Sequence, residues 1–195
     1  MTQFPVILAI TGASGAAYGV RLLEVLATRH VPTWLMISSH GWRLLAEECG
    51  IKDDRELKSA TGGEWASVRV FDDKDRGAAP ASGSARSTGM VICPCSMGTV
   101  AAIAHGTSRS LIERAADVVL KERRTLVLVP RETPLSLAHL RNLTLATEAG
   151  AIVLPAAPGF YHKPKQVTDL VDFVVQRILD HLGLEIELVK RWAGK

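Results

Sequence analysis

The chain has 195 residues, 47% of them hydrophobic and 22% charged, the proportions of a soluble globular protein able to fill one core. A formal net charge of +3, spread along the chain, argues against a nucleic-acid binder. No basic segment precedes the first apolar run and no apolar stretch nears the ~18 residues that span a bilayer, so a cytoplasmic protein with no membrane association is expected.

Short apolar runs predict strands near Val6–Thr11, Thr33–Ile37, Ser67–Phe71, Met90–Cys93, Leu126–Val129 and Ala151–Leu154. Between them, helical periodicity predicts helices over Ala16–Thr28, His40–Glu48, Met97–His105, Leu111–Glu122, Leu135–Ala149 and Thr168–Leu182. Leu126–Val129 is apolar at every position, the pattern of a strand covered on both faces. Repeated strand–helix units then imply a single domain, residues 1–195, built as a doubly wound α/β sandwich with a mostly parallel sheet. Two loops interrupt the alternation: Arg76–Gly89, rich in Gly, Ala and Ser, and Pro155–Gln166, with three prolines around Phe160 and Tyr161. Ligands of such sheets bind beyond the carboxyl ends of strands, which singles out Thr11–Gly15, Pro94–Thr99, Pro130–Thr133 and Pro155–Tyr161 as parts of one site.

The first of these segments follows no nucleotide-binding pattern completely. Gly12, Ser14 and Ala17 occupy the three glycine places of the dinucleotide fingerprint, no Gly-Lys-Ser/Thr follows, and Ala16 replaces the last glycine of a nucleophile elbow. A strand, a small-residue turn and a helix N-terminus remain, which suit one anion or simple capping equally well. Ser96 and Thr99 repeat that choice after the fourth strand. Arg114, Asp117 and Lys121 share one helical stripe, either a solvated salt-linked face or a phosphate clamp. Arg131 and Glu132 stand past the most apolar strand, where an unpaired charge costs desolvation unless it meets a ligand. Glu48, Tyr161 and Arg177 are unremarkable singly. Cys49, Cys93 and Cys95 match neither redox nor zinc spacing, and His105, His139 and His162 show no metal-ligand spacing, so no metal is assigned.

Taken together, TGASGAAYGVRLL, PASGS, MVICPCSMGT, LIERAADVVLKERRTLVLVPRETPLS, GAIVLPAAPGFYHKP and LVDFVVQRILDHLG resemble the flavin prenyltransferases of the UbiX type, over Thr11 to about Trp192. The resemblance implies a flavodoxin-like fold that binds FMN and a dodecamer with sites between subunits. The tail, about 183–195, is expected in oligomer contacts. It also implies transfer of a dimethylallyl group from dimethylallyl phosphate to N5 and C6 of reduced FMN, without metal. The product, prenylated FMN, serves a UbiD-type decarboxylase.

Carried over residue by residue, Gly12, Ala13 and Ser14 match the FMN-binding turn. Ser38 matches a second flavin contact, Ser96, Met97, Gly98 and Thr99 a third, and Arg131 a fourth. Tyr161 and Arg177 match positions that hold dimethylallyl phosphate, with Arg114, Lys121, Ser82 and Glu132 around the phosphate. Glu48 matches a carboxylate implicated in proton transfer and joins Ser14, Lys121 and Glu132 in the catalytic set. Trp192 is given an auxiliary part. The loop Asp72–Gly89 and the stretch Thr107–Ser110 depart from what can be matched. Rival readings are a flavin-dependent cysteine decarboxylase, whose Met-Asn pair is missing here, a non-catalytic FMN-binding subunit, and an NAD-dependent oxidoreductase.

Overall fold

A computed structural model describes residues 4–190; Trp192 and the end of the 183–195 tail lie outside the described residues. In chain order the elements are β1 (Val6–Ile10), α1 (Ala16–Thr28), β2 (Thr33–Ile37), α2 (Ser39–Cys49), α3 (Asp54–Ala60), β3 (Val68–Asp72), β4 (Gly89–Cys95), α4 (Met97–Ala104), α5 (Leu111–Lys121), β5 (Thr125–Pro130), α6 (Leu137–Glu148), β6 (Ile152–Val153) and α7 (Val167–His181). The six strands form one sheet in the order β3-β2-β1-β4-β5-β6, and every pairing is parallel. Without the edge strand β3 this is the flavodoxin-like order, with its switch point between β1 and β4.

Period-two alternation divides the core. Val6, Leu8 and Ile10 of β1 face one apolar cluster with Leu22, Leu26, Val175 and Leu179. Ile7 and Ala9 face the other, with Val100, Ile103, Ala115 and Val119. Helices α1 and α7 thus cover one side of the sheet and α4 and α5 the other. Both faces being dry explains the unbroken apolar strands.

The sequence reading missed α3, although Asp53 caps it by accepting from Glu56 N at 2.8 Å and Glu56 reaches back to Lys52 N at 2.7 Å. It also missed a single 3-10 turn at Ala79–Ala81 within the long loop. Strand β4 runs two residues past the expected Cys93, and β6 shrinks to two residues at the edge of the sheet. Helix α6 starts at Leu137 instead of Leu135, because the Ser136 hydroxyl accepts from His139 N at 3.2 Å and fixes the start.

Gly19 sets how closely α1 lies on the sheet. A Cβ there would stand 2.4 Å from the carbonyl oxygen of Cys93, a backbone atom that cannot swing aside. Gly19→Ala should lower stability by about 1–3 kcal/mol, the range for overpacking, read as a lower urea midpoint at an unchanged m value.

Candidate active site

Three segments converge at the switch point. Thr11, 3% exposed, stitches the ends of β1 and β4: its hydroxyl donates to Pro94 O at 3.0 Å and accepts from Ser96 N at 2.9 Å. Ser96 then caps α4, its Oγ accepting from Thr99 N at 3.2 Å and lying 3.0 Å from Thr99 Oγ1. From the other side Ser38 N donates to Ile10 O at 3.0 Å while Ser38 Oγ caps α2 through Gly41 N at 3.0 Å. Thr11, Gly12, Ser38, Ser96 and Thr99 line a cleft of about 410 Å³, within the ordinary range for ligand sites.

The cleft is a cradle of helix starts and hydroxyls. The starts of α2, α4 and α5 and the β1 turn border it, with the hydroxyls of Ser38, Ser96 and Thr99 interleaved, the surroundings that suit an anion. Gly12 leaves no room for a side chain, since a Cβ would sit 2.4 Å from His40 Cβ. Gly98 faces open space, its nearest neighbour being Ser96 Oγ at 3.9 Å. The reading from sequence had not included His40, Asp73, Ser110 and Glu113, which also border the cleft. Ser110-x-x-Glu113 carries a capping signature: Ser110 Oγ accepts from Glu113 N at 3.3 Å.

The turn between β1 and α1 holds a second constellation. Gly15 adopts φ +109°, the left-handed region open to glycine, and offers no side chain to cap α1. Glu48, at the end of α2, supplies the acceptor: its Oε2 takes both Gly15 N and Ala16 N at 2.8 Å. Partial burial pushes this carboxyl up. The Ala16 N–H, the Ser14 hydroxyl, the Gly15 N–H and the Arg131 charge outweigh it and hold Glu48 below its ordinary range. Arg131 Nε donates to Ser14 O at 3.2 Å. Its neighbour Glu132 turns to Thr133 N at 3.1 Å.

Tyr161 and Arg177 share a different cleft, of about 280 Å³, with His162, Phe173, Gln176, and Asp180 among its walls. Arg177 Nη1 donates to Asp180 Oδ2 at 3.3 Å. His162 stacks on Phe173 at 5.3 Å, and the Tyr161 ring meets Phe173 edge-on at 5.7 Å. Phe173 and Gln176 went unnoticed in the sequence, although their helical spacing from Arg177 was an available signal, and His162 was weighed there only as a metal ligand.

The remaining phosphate-shell residues lie elsewhere. Arg114 pairs with Asp117 at 2.7 Å and Lys121 with Glu122, the solvated stripe that the spacing allowed. Ser82 belongs to a loop laid against Lys121, with Arg124 donating to Gly83 O at 2.7 Å and Ala85 O at 2.8 Å. This group precedes β4 and β5, whereas Arg131 follows β5, a strand of six residues and so about 20 Å long. Within one chain Lys121 and Ser82 therefore stand at the opposite edge of the sheet from Ser14 and Arg131. Among the described residues no group of three or more His, Cys, Asp or Glu is placed to hold a metal, and no helix is long and apolar enough to cross a membrane.

A family model described as Flavoprotein matches residues 1–179. The flavin prenyltransferase UbiX of Pseudomonas aeruginosa is 49% identical over 192 residues, covering 95% of this chain and 92% of its own. Among solved structures, AnUbiX in complex with FMN and dimethylallyl pyrophosphate superposes with a TM-score of 0.85 at 39% identity, covering 98% of this chain and 100% of its own. A dodecameric FMN-dependent UbiX-like decarboxylase from Escherichia coli O157:H7 gives 0.88 at 40% identity, covering 97% and 100%. Identity of this extent, over a cradle with the geometry described, establishes that the chain belongs to the flavoprotein family and, within it, to the UbiX flavin prenyltransferases.

Proposed function

We propose that this protein transfers the dimethylallyl group of dimethylallyl phosphate to N5 and C6 of reduced FMN, releasing phosphate and yielding prenylated FMN. One observation carries the reading: a chain of this family keeps both a hydroxyl- and amide-lined cradle at its switch point and a separate cleft where a guanidinium and a phenol meet. Gly12, Ala13, Ser14, Ser38, Ser96–Thr99 and Arg131 would hold FMN, which supplies the electron-rich ring that accepts the allyl carbon. Heterolysis of the allylic C–O bond sends the electron pair to the departing phosphate. Arg177 and Tyr161 would receive that anion, Arg177 exchanging its partly exposed pairing with Asp180 for a doubly charged ligand. One proton leaves overall as the second ring bond forms, and Glu48 is the base assigned to it. Its lowered pKa keeps it ionised at neutral pH, with lone pairs to spare beside the two N–H bonds.

Lys121, with Arg114 on the same helix, Ser82 and the Tyr161–Arg177 cleft fit this reading when neighbouring copies supply them, whereas Glu132 stands beside Arg131 in the same chain. Exposed Leu137 (61%), Leu140 and Leu145 on α6, and Phe160 (68%) in the loop after β6, are the kind of apolar side chains that copies bury against one another. A dodecamer like that of the Escherichia coli relative, with residues 183–195 in its contacts, follows from the same reading, as does one FMN-binding unit per chain. The buried, free thiols of Cys93 and Cys95, whose titration burial pushes upward, suit a reducing cytoplasm. The recipient of the product is a UbiD-type decarboxylase.

Purified protein mixed anaerobically with reduced FMN, dimethylallyl phosphate and a chelator should yield flavin heavier by one isoprene unit in mass spectrometry; recovery of unmodified FMN alone would favour a storage subunit. Glu48→Gln and Lys121→Ala should each be inactive alone, yet regain turnover when co-assembled, since some sites then combine an intact Glu48 with an intact Lys121 from another copy. Absence of recovery would put both residues in one chain's site. Glu48→Gln should also lower stability at neutral pH by about 0.5–1 kcal/mol, the range for a mostly exposed charge at a helix N-terminus. Because the folded-state pKa of Glu48 is depressed, its stabilisation is present above the unfolded pKa and is lost as pH falls through the folded one. The two unfolding curves should therefore converge only in acid, once the pH falls below Glu48's lowered folded-state pKa.

A further inference from the structure

Gln176 is a buried polar residue of α7, 6% exposed, bonded to the segment 186–189 and bordering the Arg177 cleft. Its amide nitrogen donates to Asp180 Oδ1 at 3.0 Å and to Ile186 O at 3.0 Å. Its amide oxygen accepts from Leu188 N at 2.7 Å and from Val189 N at 3.4 Å. Both donors and both lone pairs are in use, so the side chain has a single satisfied orientation.

Each of these partners leads to the Arg177 cleft. Asp180 takes Gln176 on one oxygen and Arg177 on the other. Val189 and Lys190, which follow Leu188, form a wall of the same cleft. We propose that Gln176 is a positioning residue for the phosphate ester: it straps the segment 186–189 onto α7 and orients Asp180, which holds the Arg177 guanidinium at the cleft until the ligand arrives. The inference rests on the prenyltransferase reading for the identity of the ligand, and on the hydrogen bonds alone for the strap.

Leucine nearly matches glutamine in volume and makes none of the four bonds. In the full-length oligomer, Gln176→Leu should raise KM for dimethylallyl phosphate about tenfold, the effect of leaving buried partners unpaired, while kcat at saturation and KM for reduced FMN change little. Gln176→Glu keeps the acceptor for Leu188 and Val189 but loses the donors. It should preserve slow exchange of those two amide hydrogens and still raise KM. An unchanged KM for the phosphate ester in the leucine variant, or equal rises in both KM values, would overturn the proposal. If the leucine variant does not fold, exchange in the unaltered protein decides: Leu188 and Val189 amides protected like those of α7 support the strap, and loop-like exchange refutes it. A wild-type protein that never prenylates FMN defeats the functional reading instead, and leaves the strap to be judged by exchange.

Discussion

The organisation of the site depends on the backbone N–H groups left without partners where β1 turns into α1. Gly15 takes a conformation that frees the chain to turn sharply but leaves the helix start uncapped, and Glu48 closes it from 33 residues away. That one carboxylate ties α2 to the start of α1 and keeps a charge beside Arg131. In the proposed reaction the base is thereby held by the same bonds that cap α1. Its basicity is lowered in consequence, so its advantage lies in placement and in being ionised rather than in proton affinity.

The parallel sheet explains why only part of the family's residue set gathers around that turn. Strand ends on the carboxyl side bring Thr11, Ser38, Ser96 and Arg131 together, since β1, β2, β4 and β5 run in the same direction. Helix α5 leads into β5, so its last residue, Lys121, must emerge at the amino side, with the Ser82 loop beside it. No side-chain rotation spans a strand's length. A second copy is the economical way to bring the two edges together, and the exposed leucines of α6 provide a surface for it.

In the proposed reaction, anion recognition is divided between two kinds of chemistry. At the switch point, fixed backbone dipoles and hydroxyls make a rigid, sequence-tolerant cradle. On α7, a half-exposed guanidinium is paired with a carboxylate, and Gln176 bonds both that carboxylate and the adjoining segment. The first arrangement suits a flavin held through the reaction and the second a phosphate that arrives as an ester and departs free.

Much of this was legible in the residues themselves. Unbroken apolar strands and intervening amphipathic segments determined a doubly wound parallel sheet, because only burial on both faces makes such strands soluble. The six joined motifs, from the Gly12 turn to the Arg177 helix, identified the family more sharply than any one of them. Local chemistry alone could not choose between cap and cradle at Ser96, or between a solvated stripe and a clamp at Arg114 and Lys121, since identical spacing serves both. Tertiary structure decided that Glu48 meets Gly15 and Ala16, that Lys121 stands across the sheet from Arg131, and that Gln176 joins Asp180 to residues 186–189. Those are contacts between segments far apart in the chain or between a side chain and a distant backbone, and periodicity records which face a residue takes but not what it meets there.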